Sequence, residues 1–426
     1  MTLTKHTRSA TSFWVAFVAI HLATFGLSSM LGSTIAQQMV IRTIDGQQLT
    51  GVVDRIDASG QVAGAGFGND VRLDSIESIQ TKQPIVSVQQ PVEVYLVGDT
   101  VWGTAKIGAD AVSVDGETVS LTGRLGKFQL PLQTVQAIVW RDSKSVQQSI
   151  AKPPANTDRV IVDVDGTPQT VNGIIEGVTN EAVSVNYKGK LRSIGIAKVN
   201  AIVLANVGYQ APTGILGSVA TTEGSRFFGL IQSWGDDSQE SGLSRSPELK
   251  LLIAKDAMLS IKTEQVAEIR IQSDRILFLS SIDPVSVTET TDFVEPRPYQ
   301  RDRSVTGGKL QIRGKDDQPI TFSNGIGVQA TSELIYANNK KFNRLVATVG
   351  IDWATKGRGD CRVAIKTDGV EVFNQQLTAA SAPIELDVDV ANANRVSLIV
   401  LPGRQFDLAD HVIWGGAKLI NTKDTK

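Results

Sequence analysis

Apolar and polar residues alternate along most of this chain, in short runs broken by Gly, Asp, Asn and Pro. AVSVDGETVSL (111–121), AVSVNYKGKL (182–191), CRVAIK (361–366) and VEVF (370–373) are representative. A period of two sends successive side chains to opposite faces of a strand, so one face packs and the other stays wet. Runs of this length between turn residues predict strands, and their recurrence predicts an all-β chain.

From residue 39 to about 272 the alternation is organised as a repeat. Four segments open in the same way: VIRTIDGQQLTG (40–51), VYLVGDTVWG (94–103), VIVDVDGTPQTVNG (160–173) and VATTEGSRFFG (219–229). Each has an apolar run, a glycine beside an acid, and a second glycine. Their ends match more closely. Val71-x-Leu73-x-x-Ile76-x-x-Ile79 corresponds to Leu130-x-Leu132-x-x-Val135-x-x-Ile138 and to Ile194-x-Ile196-x-x-Val199-x-x-Ile202. The fourth copy is Ile261-x-Thr263-x-x-Val266-x-x-Ile269. Self-similarity of this kind predicts an array of one small unit. Asp45-Gly46, Asp165-Gly166 and Glu223-Gly224 fit tight hairpins, and the three-residue steps of the closing ladder predict a helical turn joining two strands.

The units resemble small curled barrels of the Sm-like or SH3-like kind. Their expected spans are 37–84, 91–142, 157–207 and 214–274, with SKSVQQSIAKPPANT (143–157) as a linker and DDSQESGLSRSPEL (236–249) as an exposed loop. A unit of this size is marginal alone, so neighbours are expected to share a core.

The block 277–422 has its own pattern of five- to nine-residue apolar runs with turns between them, including a hairpin turn at Thr367-Asp368-Gly369. This predicts one antiparallel β-sandwich or jelly roll.

The chain begins differently. Lys5 and Arg8 precede an apolar run at 13–27, and Thr34-Ile35-Ala36 approximates a small-residue cleavage site, so residues 1–36 are expected to be a secretory signal peptide. The run is interrupted by His21 and Thr24 and falls short of the ~20 apolar residues that span a bilayer. The expectation is a secreted or periplasmic, cell-envelope protein with no membrane span after cleavage.

Composition narrows the chemistry. Formal net charge is −2, with no basic face of the kind nucleic-acid proteins carry. Cys361 is the only cysteine, which excludes an intramolecular disulfide and predicts a quiet, partly buried thiol. Once residues 1–36 are removed, His411 is the only histidine. A Ser-His-Asp triad or a multi-histidine metal site would have to run through it. No nucleophile elbow, phosphate loop or HExxH motif is present. Gly64-Ala65-Gly66-Phe67-Gly68 lacks the following helix that a phosphate cradle needs, and Arg358-Gly359-Asp360 is best taken as a turn. The aspartate pairs 236–237 and 316–317 would suit Ca²⁺, yet no EF-hand-like series of ligands surrounds either. No cofactor is expected, and the chain is expected not to be an enzyme. A glycosidase would need two carboxylates converging across a cleft, which spacing alone does not show.

Several motifs of the C-terminal block, in order, resemble the NPCBM-type domain, described as a carbohydrate-binding module of family-98 glycosyl hydrolases. They are LSSIDPVSVTETTDF (279–293), RPYQRDRSVTGGKLQIRG (297–314), SNGIGVQATSELIY (323–336), FNRLVATVGID (342–352), VAIKTDGVEVF (363–373) and DLADHVIWGGAKL (407–419). The resemblance implies a galactose-binding-like jelly roll that holds sugar through its loops. It covers about a third of the chain and none of the repeats. One position departs from the family: Gln329 stands where a histidine is usual.

A sugar site needs donors and acceptors for hydroxyls and an aromatic face for the ring. Asp352, Trp353, Asp407, Asp410, His411 and Trp414 supply those types. Each also has a plainer role open to it. Trp414 suits a sandwich core, Asp410 and His411 suit loop fixing, and Asp352 suits a turn cap. Trp353 is the better stacking candidate. The expected partner is a glycan or polysaccharide; the alternative is a structural protein that binds other envelope proteins.

Overall fold

The computed structural model describes residues 37–67, 71–100, 103–205, 208–235, 246–291, 297–314, 318–404 and 409–423. The expected signal segment, most of the 236–249 loop, the aspartate pairs 236–237 and 316–317, and Asp407 lie outside the described residues.

Among the described residues the strands pair antiparallel throughout, and helix is scarce. The third repeat shows the plan of a unit. Strand Asp158–Val164 turns at Asp165-Gly166 into the long strand Thr167–Val178, followed by Ala182–Tyr187, Lys190–Gly195, a 3-10 turn Ile196–Lys198 and Val199–Val203. Asp165 and Gly166 have φ of 50° and 79°, the left-handed pair that a two-residue hairpin of matching twist requires. The long strand shifts register between Ile175 and Gly177, so its first half pairs with the opening strand and its second with the next. The last strand returns to pair with the first, which curls the unit closed. The second unit carries one more strand than this plan.

The closing ladder determines the geometry. Its second residue starts a 3-10 turn in each unit, at Leu73, Leu132, Ile196 and Thr263, and its third starts the last strand, at Ile76, Val135, Val199 and Val266. Its last isoleucine sits on an approximate two-fold axis. Ile79 pairs with Ile269, joining the first and fourth units, and Ile138 pairs with Ile202, joining the second and third. All four isoleucines are at most 2% exposed. One apolar cluster, from Met39 to Ile271, runs through all four units, so the expected shared core is present.

The stretch 143–157 corrects the linker expectation. Lys144–Ala151 is an α-helix capped by Ser143, whose Oγ accepts from Val146 N at 3.3 Å. Its buried Val146 and Ile150 cover the outer face of the second–third pair.

The C-terminal block is a β-sandwich. One sheet holds Ile276–Phe278, Gln300–Arg301, Gly325–Gln329, His411–Ile420, Arg344–Ile351 and Ile384–Asp389; the other holds Ser286–Glu289, Ser332–Ala337, Arg395–Pro402, Asp360–Thr367 and Val370–Thr378. Between them lie Tyr336, Leu345, Val363, Leu398 and Trp414. A hairpin, Leu310–Arg313 with Pro319–Phe322, covers Ile413 on the outside of the first sheet. Cys361 is buried and free, and burial pushes its thiol pKa well up, which keeps it protonated and inert.

The sandwich docks on the first unit. Ile44 packs with Ile276, Phe278 and Ile420, and Lys418 Nζ pairs with Glu77.

Candidate functional site

Strand register gathers the sandwich loops at one end. Gln329 lies opposite His411, Ile351 opposite Val412, Ser332 opposite Val400, and Asp360 opposite Thr378. The turns that follow or precede these residues therefore share that end, and Asp352, Trp353, Asp410 and His411 are all brought to it.

Their roles there differ. Asp352 is 2% exposed. Its Oδ1 accepts from Ala354 N at 2.9 Å, capping the 3-10 turn Trp353–Thr355, and its Oδ2 accepts from Ser304 Oγ. Its backbone N donates to His411 O at 2.9 Å. Asp410 is fully buried; its Oδ1 accepts from Asp360 N at 2.7 Å and its Oδ2 from Gly403 N at 3.4 Å. Both aspartates hold loops and turn their carboxylates inward. Trp414 is 0% exposed in the core between the sheets, so its ring is closed to any ligand. In all three the fold adopts the plainer role that the sequence left open: core for Trp414, loop fixing for Asp410 and a turn cap for Asp352.

Two predicted residues remain accessible. Trp353 is half-buried, and the Arg313 guanidinium lies 5.9 Å from its ring centroid. His411 is half-buried; burial holds its pKa below the usual imidazole value, with Arg297 and Arg358 pushing the same way and Asp352 opposing. A neutral imidazole both donates and accepts, which suits a hydroxyl partner. Beside it, Gln329 is 5% exposed, and its buried Oε1 accepts no hydrogen bond among the described residues. The Arg358 turn is held by Nε donating to Thr355 O at 3.2 Å, as expected for the Arg-Gly-Asp stretch.

Sequence reasoning missed the three arginines at 297, 313 and 358. The signal was their presence in motifs already singled out, each within a few residues of a turn. No group of three or more His, Cys, Asp or Glu able to hold a metal ion occurs among the described residues. No helix among them is long and apolar enough to cross a membrane.

Residues 276–420 match the NPCBM/NEW2 domain. None of the curated proteins compared matches the chain. Among solved structures, the chain is similar to a CBM51 from Clostridium perfringens GH95 in complex with methyl-galactose, at 25% identity and a TM-score of 0.31, over 34% of this chain and 99% of that one. It is also similar to the CBM51-2 and INT domains of Clostridium perfringens ZmpB, at 22% identity and a TM-score of 0.32, over 41% of this chain and 36% of that one. The tandem CBM51 modules of the family 98 glycoside hydrolase from Streptococcus pneumoniae SP3-BS71 align at 13% identity and a TM-score of 0.31, over 90% of this chain and 88% of that one.

Proposed function

We propose, from the NPCBM/NEW2 match of residues 276–420, that this chain is an exported, non-catalytic carbohydrate-binding protein whose sandwich recognises a glycan or polysaccharide through its loop end. That match is the observation that carries the reading. The geometry supports it by leaving Trp353 and His411 accessible at one end, ringed by Arg297, Arg313 and Arg358. In this reading Trp353 supplies the ring-stacking face and His411 a neutral hydrogen-bonding partner. Asp407, four residues before His411 in the sequence, is a further contact in this reading. Asp352 and Asp410 act as positioning residues.

Affinity electrophoresis of residues 37–426 through gels containing plant, fungal and bacterial polysaccharides, alongside a glycan array, tests this. Retardation by at least one polysaccharide is expected, with Trp353→Ala weakening it about tenfold, or 1.4 kcal/mol. No retardation and no array signal, with a β-type circular dichroism spectrum intact, would overturn it.

A specific feature favours a second reading, a protein-interaction role in the envelope. On the third unit, Ile174 and Leu191 are 55% and 67% exposed and lie in one row across three strands, through Asn186. If that row is a contact surface, a partner retained from an envelope extract should be lost with Ile174→Glu and Leu191→Glu together.

A further inference from the structure

The outer face of the first–fourth pair carries polar side chains where the outer face of the second–third pair carries apolar ones. In the second–third pair, Tyr95, Ala137 and Val139 of one unit and Ile161, Ala201 and Val203 of the other form a closed apolar cluster under the helix Lys144–Ala151. Counting from the isoleucines on each axis, the same six positions in the first–fourth pair are Arg42, Ser78 and Gln80, and Ala220, Glu268 and Arg270. Among the described residues no helix covers this second set. It faces the outer surface of the sandwich's first sheet across a cleft of about 340 Å³. That is near the lower end of ligand sites, roughly 300–1,000 Å³.

The cleft is bounded on both sides. Below it, Ile44, Phe278, Val346 and Ile420 pack the sandwich onto the first unit; above it, the hairpin ending in Phe322 covers Ile413. Its charged lining balances, with Arg42, Arg270 and Lys418 against Glu77, Glu268 and Glu385. Four of the six charges form ion pairs, and Glu385 is held by a neutral hydroxyl alone. Arg270 Nε is 3.0 Å from Glu268 Oε1, which also accepts from Gln80 Nε2 at 2.8 Å. Lys418 pairs with Glu77, and Glu385 Oε2 accepts from Thr348 Oγ1 at 2.8 Å. Arg270 Nη2 donates to Ser323 Oγ of the sandwich at 2.9 Å, tying the two walls together.

A ligand of net charge would be drawn to one of the two remaining charges, Arg42 or Glu385, and repelled by the other. A neutral hydroxyl meets no such penalty, because it can donate to a carboxylate lone pair and accept from a guanidinium or ammonium N–H together, using the lone pairs and N–H groups that the ion pairs leave over. The wall is not polar throughout. Phe322 lies over Gly415, where an added Cβ would come within 2.6 Å of its ring, and beside Gly416 nothing lies within 4 Å of an added Cβ. Bare backbone and an aromatic edge next to paired charges fit the C–H and O–H faces of one sugar ring. We infer that the cleft between the first–fourth pair and the sandwich is a second binding site, which takes a short neutral saccharide, separate from the loop end. The two sites lie at different points along the strand His411–Ile420, one at its start and the other at Gly415–Lys418.

The test is an amide nuclear magnetic resonance titration of residues 37–426 with lactose and with chitobiose, repeated with glucuronate and glucosamine as charged controls. Shifts at Thr348 and Gly415–Lys418 with a neutral disaccharide are expected. The double variant Arg42→Ala and Glu385→Ala, both exposed positions, should reduce affinity at these amides at least tenfold, while Trp353→Ala leaves them unchanged. Three outcomes would overturn the cleft site: shifts confined to the loop end, shifts that the double variant does not alter, or a stronger response to a charged control. Loop-end shifts alone would leave the reading of the sandwich loops standing, so the two proposals fail separately.

Discussion

The second–third and first–fourth pairs of repeats share a backbone plan, yet one closes its outer face with a helix and the other turns that face to the sandwich. Both pairs meet at the ladder isoleucine in the same antiparallel register. The difference lies in alternate residues, which point away from the shared core. The comparison teaches that the inward ladder is what the two pairings share, while the outward positions add a small apolar core to one and polar contacts such as Gln80 with Glu268 to the other.

The largest expected effect comes from exchanging one residue between the pairs. Ala201 and Glu268 occupy the same position. Ala201→Glu would bury a carboxylate under the helix with no partner among Tyr95, Val139 and Val146, at a cost on the order of 4 kcal/mol or more. Glu268→Ala should cost only about 1 kcal/mol, since Arg270 keeps its bond to Ser323. Urea melts of the two variants would check this; equal costs would break the comparison.

Truncating the shared feature should cancel the difference. Ile138→Ala and Ile269→Ala each remove a buried side chain from equivalent places, and each should lose about 3–4 kcal/mol. Agreement within about 1 kcal/mol in chemical denaturation is expected; a much smaller loss in one pair would mean that its dyad is not what joins it.

A smaller effect isolates the helix. Ser143→Ala removes its N-cap and should lower stability by about 0.5–1 kcal/mol. Hydrogen exchange should quicken at the amides of 144–151 and leave those of Ser78 and Glu268 as they were, because no such cover lies on the first–fourth pair.

How much of this was legible in the sequence depends on whether a feature is local. The ladder is local, and its three-residue steps predicted the 3-10 turns at Leu73, Leu132, Ile196 and Thr263. The hairpins at Asp165-Gly166 and Asp368-Gly369 were legible because few residues tolerate that backbone. The helix Lys144–Ala151 was not. Its buried face is only Val146 and Ile150, and the prolines that follow made the whole stretch look like a linker. The cleft was beyond reach for another reason: Arg42, Glu77, Arg270, Glu385 and Lys418 each resemble an ordinary polar residue on the wet face of a strand. Only the packing of separate units brings them together. At the loop end, His411 lies in a motif that carries the resemblance and Trp353 was singled out by its aromatic type just past another, whereas the inward turn of Asp352, Asp410 and Trp414 is fixed by contacts with Ser304, Asp360 and the opposite sheet.

Tyr95 offers the subtlest test, because its equivalent in the other pair is Arg42. Burial raises the Tyr95 phenol to about 12; Glu93, which accepts its hydrogen bond at 3.1 Å, adds to the rise, and Gln147 donating to it at 3.2 Å opposes. A phenol held neutral in the fold stabilises it while the unfolded chain is still protonated. Below the ordinary value of about 10 there is no pH dependence from this group. Between about 10 and about 12 the unfolded state ionises and the folded state does not, so stability falls as pH rises. Tyr95→Phe should flatten that fall. A tyrosine placed at the open position by R42Y should titrate near 10, as phenols in water do. Phenolate absorbance of Y95F and R42Y against the parent chain would measure both values. Two equal values would show that the helix does not desolvate its face, and the contrast between the pairs would then rest on side-chain identity alone.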